Sequence, residues 1–489
     1  MKEFYGEEEN RKEITEENKG NIQEKTQLHL SIEEEQEINS IDYIYDQAGY
    51  NKITYKNIFL TFFVLSVEGL HFTLFSNMII PLKAYYKMTE DQVRICSSML
   101  FLFVGIGSFL SGKFAGKFGR PILISFLLFV ISFLNILMAL STVWWVFLIC
   151  RCLIGLSAGF VIPMSLNLLT EYLPLKLRSF VLTSVWCGFN FGALVLCFIM
   201  IFIMPNLEPA RVNTTILLSA ILPFFAFLLN LFLLQDSPRN LILRKLEKEA
   251  FEILEVISKR KFDQSVKIKI LQESNKSFQN VKFEIKDLFG EKFGKLSLLL
   301  TYIWFFNSIL SYGPGVISNL TMQAIGKEQN ISNLDIIKNQ IVINLIGFFS
   351  LFLGGIMTEA SYLGRKLATN INFFTCLAFI LLLIAWPGQF AVFFGIYSAV
   401  QGIAFNISTT YSCEVYPTKM RDHAIGFLFS CTRVGGFISQ ILYLYLNSIG
   451  TWIPYYASSI FLVINIILVF LLPYDTHGMP LDKEITRSS

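Results

Sequence analysis

Four ionisable side chains, Glu68, His71, Arg151 and Arg433, fall inside long apolar runs of this 489-residue chain. A charge near the middle of a bilayer costs at least about 2.5 kcal/mol, so a retained one is expected to be paired or to face water. Glu68 lies roughly 16 Å into its run and Arg433 roughly 15 Å into its own from the same side, at about 1.5 Å per residue. Both therefore approach mid-depth. A carboxylate there can bind and release a proton, and a guanidinium can hold an anion or that carboxylate. Glu68 is the candidate proton acceptor, and Arg433 is the candidate partner of a substrate anion or of Glu68 itself. A purely structural Glu–Arg or Arg–carbonyl bond is the plainer alternative. His71 follows three positions after Glu68 on the same helical face, either sharing the proton or satisfied within a core. Arg151 is a substrate or proton residue, or else a snorkelling or bundle-pairing cation. Trp186, Asn190, Trp304, Asn307, Tyr312, Tyr397 and Gln401 either line a cavity or pack against lipid and neighbouring helices.

Other chemistries find no support. No nucleophile–base set, metal cluster or glycine-rich phosphate loop appears, so neither an enzyme nor an ATP-driven pump is expected, and no cofactor or metal. The eight cysteines all fall in or beside apolar runs and read as small buried hydrophobes without disulfides. Cys150-x-Cys152 has the wrong spacing for zinc. Nothing marks a nucleic-acid partner; the expected partners are a small-molecule substrate, protons and the lipid bilayer, with the protein as a monomer.

The elements that carry these residues are set by composition. The chain is 53% hydrophobic and 16% charged, with 48 phenylalanines. Its apolar residues gather in blocks of roughly 20, the length that spans a bilayer as helix. Twelve spans are expected, near 57–82, 92–114, 121–140, 143–169, 180–204, 213–234, 297–320, 340–357, 367–386, 390–411, 423–447 and 453–472. Thr89 and Gln92 form a capping box before the second. The expected fold is an all-α membrane protein of two pseudo-symmetric six-helix bundles, 57–235 and 297–473. Around them lie a disordered acidic tail over 1–56, a linker with short amphipathic helices over 236–296, and a tail over 474–489. In the linker, Leu243, Leu246, Leu254 and Ile257 recur at helical spacing among basic residues.

Every second loop is basic: Lys113, Lys117 and Arg120; Lys176 and Arg178; Arg365 and Lys366; Lys419 and Arg421. The positive-inside rule then puts both termini in the cytoplasm, on a plasma or vesicle membrane alike. Asn330-Ile-Ser332, in a loop on the other side, is a glycosylation acceptor pattern that also arises by chance.

The halves repeat one another. Gly119-Arg120 and Gly364-Arg365 each follow a second span. Glu171-x-x-Pro174-x-x-x-Arg178 and Glu414-x-x-Pro417-x-x-x-Arg421 each follow a fourth. Parallel repeats of this kind are related by an axis along the membrane normal, with a substrate site expected between them at mid-depth.

From about Asn57 to Leu481 the chain resembles the major facilitator superfamily. Gly112-Lys-Phe-Ala-Gly116-Lys-Phe-Gly119-Arg120 resembles its loop 2–3 motif, with Gly116 where that motif has Asp. In the second copy Glu359 lies two residues further from the Gly-Arg pair than the pattern expects. Arg151-x-x-x-Gly155-x-x-x-Gly159 resembles its fourth-helix motif. Asp236-Ser-Pro-Arg239 is similar to the Glu-Ser-Pro-Arg signature of the sugar and organic-ion branches, and Tyr411-Ser-Cys-Glu414-Val-Tyr-Pro417 to their tenth-helix signature. Pro473-Tyr-Asp-Thr476-His-Gly478 resembles the end of their last helix. Glu68-Gly69 and Thr432-Arg433-x-Gly435-Gly436 are most similar to the synaptic-vesicle-protein-like and organic-ion branch, with sugar porters second. The resemblance implies a cytoplasmic gate built from Gly112, Gly119, Arg120, Glu171, Arg178, Arg365, Glu414 and Arg421, whose charged pairs link neighbouring helices when that gate is shut; helix-end charges that only fix topology are the plainer reading.

Two functions accommodate these residues. One is a secondary transporter of a small organic solute, an organic ion or a sugar, working by alternating access with proton coupling as an option. The other is a transporter-like receptor or sensor that binds ligand without moving it, which Gly116 slightly favours.

Overall fold

The computed structural model describes residues 41–174, 178–278, 288–290, 293–329, 332–359, 364–416, 418–473 and 475. Twelve helices among them are long and apolar enough to cross a membrane. They are α1 Lys52–Tyr86, α2 Glu90–Ser111, α3 Arg120–Leu140, α4 Trp144–Tyr172, α5 Arg178–Ile203 and α6 Pro209–Leu233 in the first half. The second half holds α7 Gly294–Lys327, α8 Asn333–Met357, α9 Arg365–Ala385, α10 Pro387–Val415, α11 Ala424–Ile449 and α12 Ile453–Phe470. Each expected span meets one of these. The first and seventh run several residues further at both ends, because a helix does not stop where its apolar stretch stops.

Local chemistry fixes several boundaries. Thr89 Oγ1 accepts from Gln92 N at 3.4 Å while Gln92 Oε1 accepts from Thr89 N at 2.9 Å, so the capping box forms. The repeated Gly-Arg pair is a corner: Gly119 has φ 84° and Gly364 φ 69°, and each immediately precedes a helix that begins with its arginine. A positive φ there favours glycine. The Arg151-to-Gly159 pattern is a packing motif. A Cβ on Gly159 would sit 2.2 Å from Val104 O, so α4 and α2 touch backbone to backbone.

Within the first half α2 packs on α4, α3 on α4 and α1 on α5; within the second α7 packs on α11, α8 on α10 and α9 on α10. The halves meet through α2 against α11, α5 against α8 and α1 against α7. All eight cysteines are free.

Among the described residues, 237–278 together with 41–51 make a separate compact unit. Its described helices are Ile41–Ala48, Pro238–Leu243, Glu247–Ser258 and Gln264–Phe278. Ser237 caps the second by accepting from Asn240 N at 3.1 Å, with Pro238 at its first position, which gives the Ser-Pro pair a structural task. Two expectations need correction. Residues 41–48 are helical rather than disordered, since Ile41, Ile44 and Tyr45 recur at helical spacing, are buried, and their helix packs on Glu247–Ser258. Leu246 is exposed because Lys245 takes a positive φ and ends the preceding turn; the buried face is Ala250, Phe251, Leu254 and Ile257. Glu255 Oε1 accepts from Lys267 Nζ at 2.9 Å, and this bond holds its carboxyl below the usual range. The tail over 1–40, Asn330, the surroundings of Gly112 and Gly116, and the side chains of Leu243, Glu359 and Arg421 lie outside the described residues.

Candidate functional site

The helices that shape the site are those with backbone irregularities. α5 consists of two pieces, Arg178–Ser184 and Cys187–Ile203, with tight turns at Val185 and Trp186. Gly188 and Gly192 then press α5 onto α1; a Cβ on Gly192 would lie 1.8 Å from Ser66 O. The break puts Trp186, Phe189 and Asn190 on the wall of a cavity of about 250 Å³ between the halves.

The cavity is walled by α1 (Phe72, Thr73, Asn77), α2 (Phe101), α5, α7 (Ser311, Tyr312), α8 (Gln340, Asn344), α10 (Tyr397, Gln401, Asn406) and α11 (Thr432, Arg433, Gln440). Among the described lining residues Arg433 is the one charged side chain. Amides, hydroxyls and aromatic rings make most of the rest, a surface suited to a small polar organic molecule. Phe72, Phe101 and Tyr312 pack on one another with centroids 4.7 to 5.7 Å apart, joining α1 and α2 to α7.

Arg433 Nη2 lies 3.5 Å from Glu68 Oε1, an ion pair that crosses from α11 to α1. The two side chains are 6% and 1% exposed. Neither Glu68 oxygen nor Arg433 Nη1 makes a hydrogen bond, so the pair is buried but loosely held. The arginine stem rests against Gly105, and its guanidinium lies 5.8 Å from the Phe72 ring centre. Glu68 stands behind the wall rather than on it.

His71 is buried, and its Nε2 has no hydrogen-bond partner. Arg151 is also buried, with its guanidinium 5.1 Å from the Phe75 ring and 5.8 Å from that of Phe147. It does not snorkel; it packs between aromatic faces of the first half, away from the cavity wall. Trp304 is a core residue that donates to Ser412 Oγ at 3.0 Å and packs on Phe405 and Phe429. Asn307 is buried behind the wall, where its Oδ1 accepts from Gln401 Nε2 at 2.5 Å and orients it. The Tyr397 hydroxyl donates to Leu310 O at 2.8 Å. Of the residues selected from sequence, Trp186, Asn190, Tyr312, Tyr397, Gln401 and Arg433 line the cavity, while Glu68, His71, Arg151, Trp304 and Asn307 do not.

The end of the bundle away from the Gly-Arg corners is tied across the halves chiefly by neutral groups, joined by Arg94 of α2, which donates to Ser448 Oγ of α11 at 3.3 Å. Asn319 Nδ2 donates to Ser76 O at 2.9 Å and to Asn77 Oδ1 at 3.0 Å, and Asn319 Oδ1 accepts from Gln340 Nε2 at 2.9 Å. Ser97 bonds Gln440 at 2.5 Å, and Asn333 donates to Asn206 O at 3.0 Å. Sequence reasoning missed Asn77, Asn319 and Gln340, although an amide inside an apolar span is itself a signal.

At the corner end two charged pairs each join helices of one half. Arg120 Nη1 lies 2.5 Å from Glu171 Oε1. Arg365 grips Glu414 at two points, Nη2 to Oε1 at 2.9 Å and Nε to Oε2 at 3.3 Å. Arg178 donates to Leu173 O at 2.7 Å. Asp475 accepts from the backbone N–H groups of Arg365 and Lys366, capping α9 from the chain's far end.

Comparison with known proteins sets this geometry in context. The Major Facilitator Superfamily profile matches residues 61–358 and 305–487. The synaptic vesicle 2-related protein of Xenopus laevis is 25% identical over 459 residues, covering 90% of this chain and 82% of that protein. Organic cation/carnitine transporter 7 of Arabidopsis thaliana is 24% identical over 469 residues, covering 86% and 91%. The inward open conformation of the xylose transporter XylE from E. coli superposes with a TM-score of 0.71 at 16% identity, covering 88% of this chain and 98% of that one.

Proposed function

The chain belongs to the Major Facilitator Superfamily, and from that premise we propose that it carries a small organic solute across the membrane by alternating access, with Glu68 bearing a coupled proton. The observation that carries the reading is the cavity between the halves with the buried Glu68–Arg433 pair bridging them. A contact that spans two moving bodies differs between their arrangements, and such a contact can bias their equilibrium. The cross-half amides form a gate at one end, and at the other the pairs Arg120–Glu171 and Arg365–Glu414 brace, within each half, the helix ends that meet when the second gate shuts. The basic loops support a cytoplasmic side for the second gate and both termini.

Counterflow of labelled solute in proteoliposomes tests transport: binding without exchange leaves a receptor and removes the transporter. Glu68→Gln should abolish pH-dependent uptake with expression intact, and unchanged pH dependence would exclude the proton role. Sugar transport is the second reading, favoured by the amides Asn190, Asn344, Gln340 and Gln401 on the wall.

A further inference from the structure

Resting on the transporter reading, we infer that the solute is a small organic anion with a flat apolar body, whose carboxylate takes the place of Glu68 on Arg433. The wall carries no Asp or Glu among its described residues, so nothing there would neutralise a bound organic cation. It carries one cation, and that cation is under-used. Arg433 is 6% exposed, its Nη1 makes no hydrogen bond, and its Nη2 meets Glu68 at 3.5 Å instead of at close hydrogen-bonding distance. A guanidinium binds a carboxylate through two parallel N–H groups, a geometry that Glu68 leaves unused. Phe72, Phe101, Tyr312 and Phe429 stand around it, a setting for an aromatic or planar hydrocarbon body.

The exchange also couples the anion to a proton. The charged and titratable neighbours of this region are Arg433 from α11, Tyr312 from α7, and Arg151 from α4 beside His71 on α1 itself. When the solute carboxylate draws Arg433 away, Glu68 loses the cation that balances it. A buried carboxylate left alone takes up a proton instead of staying charged. One proton passes from water on the entry side to a Glu68 oxygen, and leaves to water on the exit side when Arg433 returns. One negative and one positive charge then move together, so the cycle is electroneutral.

The test is binding to the full-length protein in detergent, read by thermal shift and calorimetry. The probes are benzoate and phenylacetate, their carboxamides, and tetraethylammonium. Expected are stabilisation by the carboxylates alone and at least about a tenfold loss of benzoate affinity in Arg433→Gln, the scale of a charge-assisted hydrogen bond. Arg433→Lys keeps the charge and serves as the folding control, with intermediate affinity. Glu68→Gln removes the competitor, so benzoate should bind it more tightly at pH 7 than it binds the native protein, with a flattened pH profile. A structural role for the pair predicts equal or weaker binding in Glu68→Gln. Binding of the carboxamides as strongly as the carboxylates, binding of tetraethylammonium alone, or no binding by any carboxylate overturns the inference. Anion binding without counterflow would instead remove the transporter reading and leave the anion site standing.

Discussion

Replacing Asn319 with alanine should open the end of the bundle that is tied across the halves. The side chain makes three hydrogen bonds, to Ser76 O, Asn77 Oδ1 and Gln340 Nε2, at 2.9 to 3.0 Å. Two of them cross between α7 and α1, and the third braces α8. Each contributes about 1 kcal/mol net, so Asn319→Ala should shift the two-state balance by about 2–3 kcal/mol. That is about a 30- to 150-fold change in the ratio of open to closed. The shift has the sign of opening, because Asn77 and Gln340 lose partners in the closed arrangement and find water in the open one. Spin labels at Lys83→Cys and Lys327→Cys, both exposed positions near the ends of α1 and α7, report the change by pulsed dipolar spectroscopy. A longer-distance population should rise at the expense of the short one. An unaltered distance distribution would refute the assignment of this amide cluster as a gate.

Three further outcomes are expected. Arg120→Ala and Arg365→Ala should each loosen the helix ends that meet at the corner end and so move the same equilibrium the other way, by about 1 kcal/mol for partly buried pairs; labels at that end check it, and the charge-reversed double variant Arg120→Glu with Glu171→Arg should restore the balance. Trp304→Phe should lower the melting temperature through its lost bond to Ser412 while leaving solute affinity unchanged, whereas Gln401→Ala should weaken affinity, since it lines the cavity and Trp304 does not; melting curves and binding isotherms separate the two. Lys267 holds the Glu255 carboxyl low, so its contribution is complete above the unfolded value of about 4.3 and is lost as pH falls through the lower folded value. Amide protection in Glu247–Ser258, corrected for intrinsic exchange, should therefore fall between neutral and acid pH in the native chain and hardly change in Glu255→Gln.

How far the sequence reads depends on what kind of information a residue carries. An apolar block of span length announces itself, because the bilayer leaves its backbone no option except helix. Thr89 with Gln92, and glycine before arginine at 119 and 364, are short-range signals, and they formed as their local chemistry requires. Facing is different. A helix that is apolar all round has no amphipathic stripe, so nothing in the pattern distinguishes Trp186, on the cavity wall at the α5 break, from Trp304, bonded to Ser412 in the core. Arg151 lay equally open: only the packed positions of Phe75 and Phe147 decide that its guanidinium stays inside the first half. Counting along two helices, by contrast, sets two residues at a common level. Glu68 and Arg433, on α1 and α11, meet at 3.5 Å.

The most direct measurement concerns a single position on the wall. Asn344 lines the cavity from α8 and is 8% exposed. Asn344→Cys, in a chain whose native cysteines are replaced by alanine, is reconstituted in vesicles and treated with a membrane-impermeant thiol reagent from each face in turn. One cavity opened alternately to the two sides predicts modification from both faces, with each reaction blocking counterflow. Modification from one face only, with counterflow still running, would contradict the account.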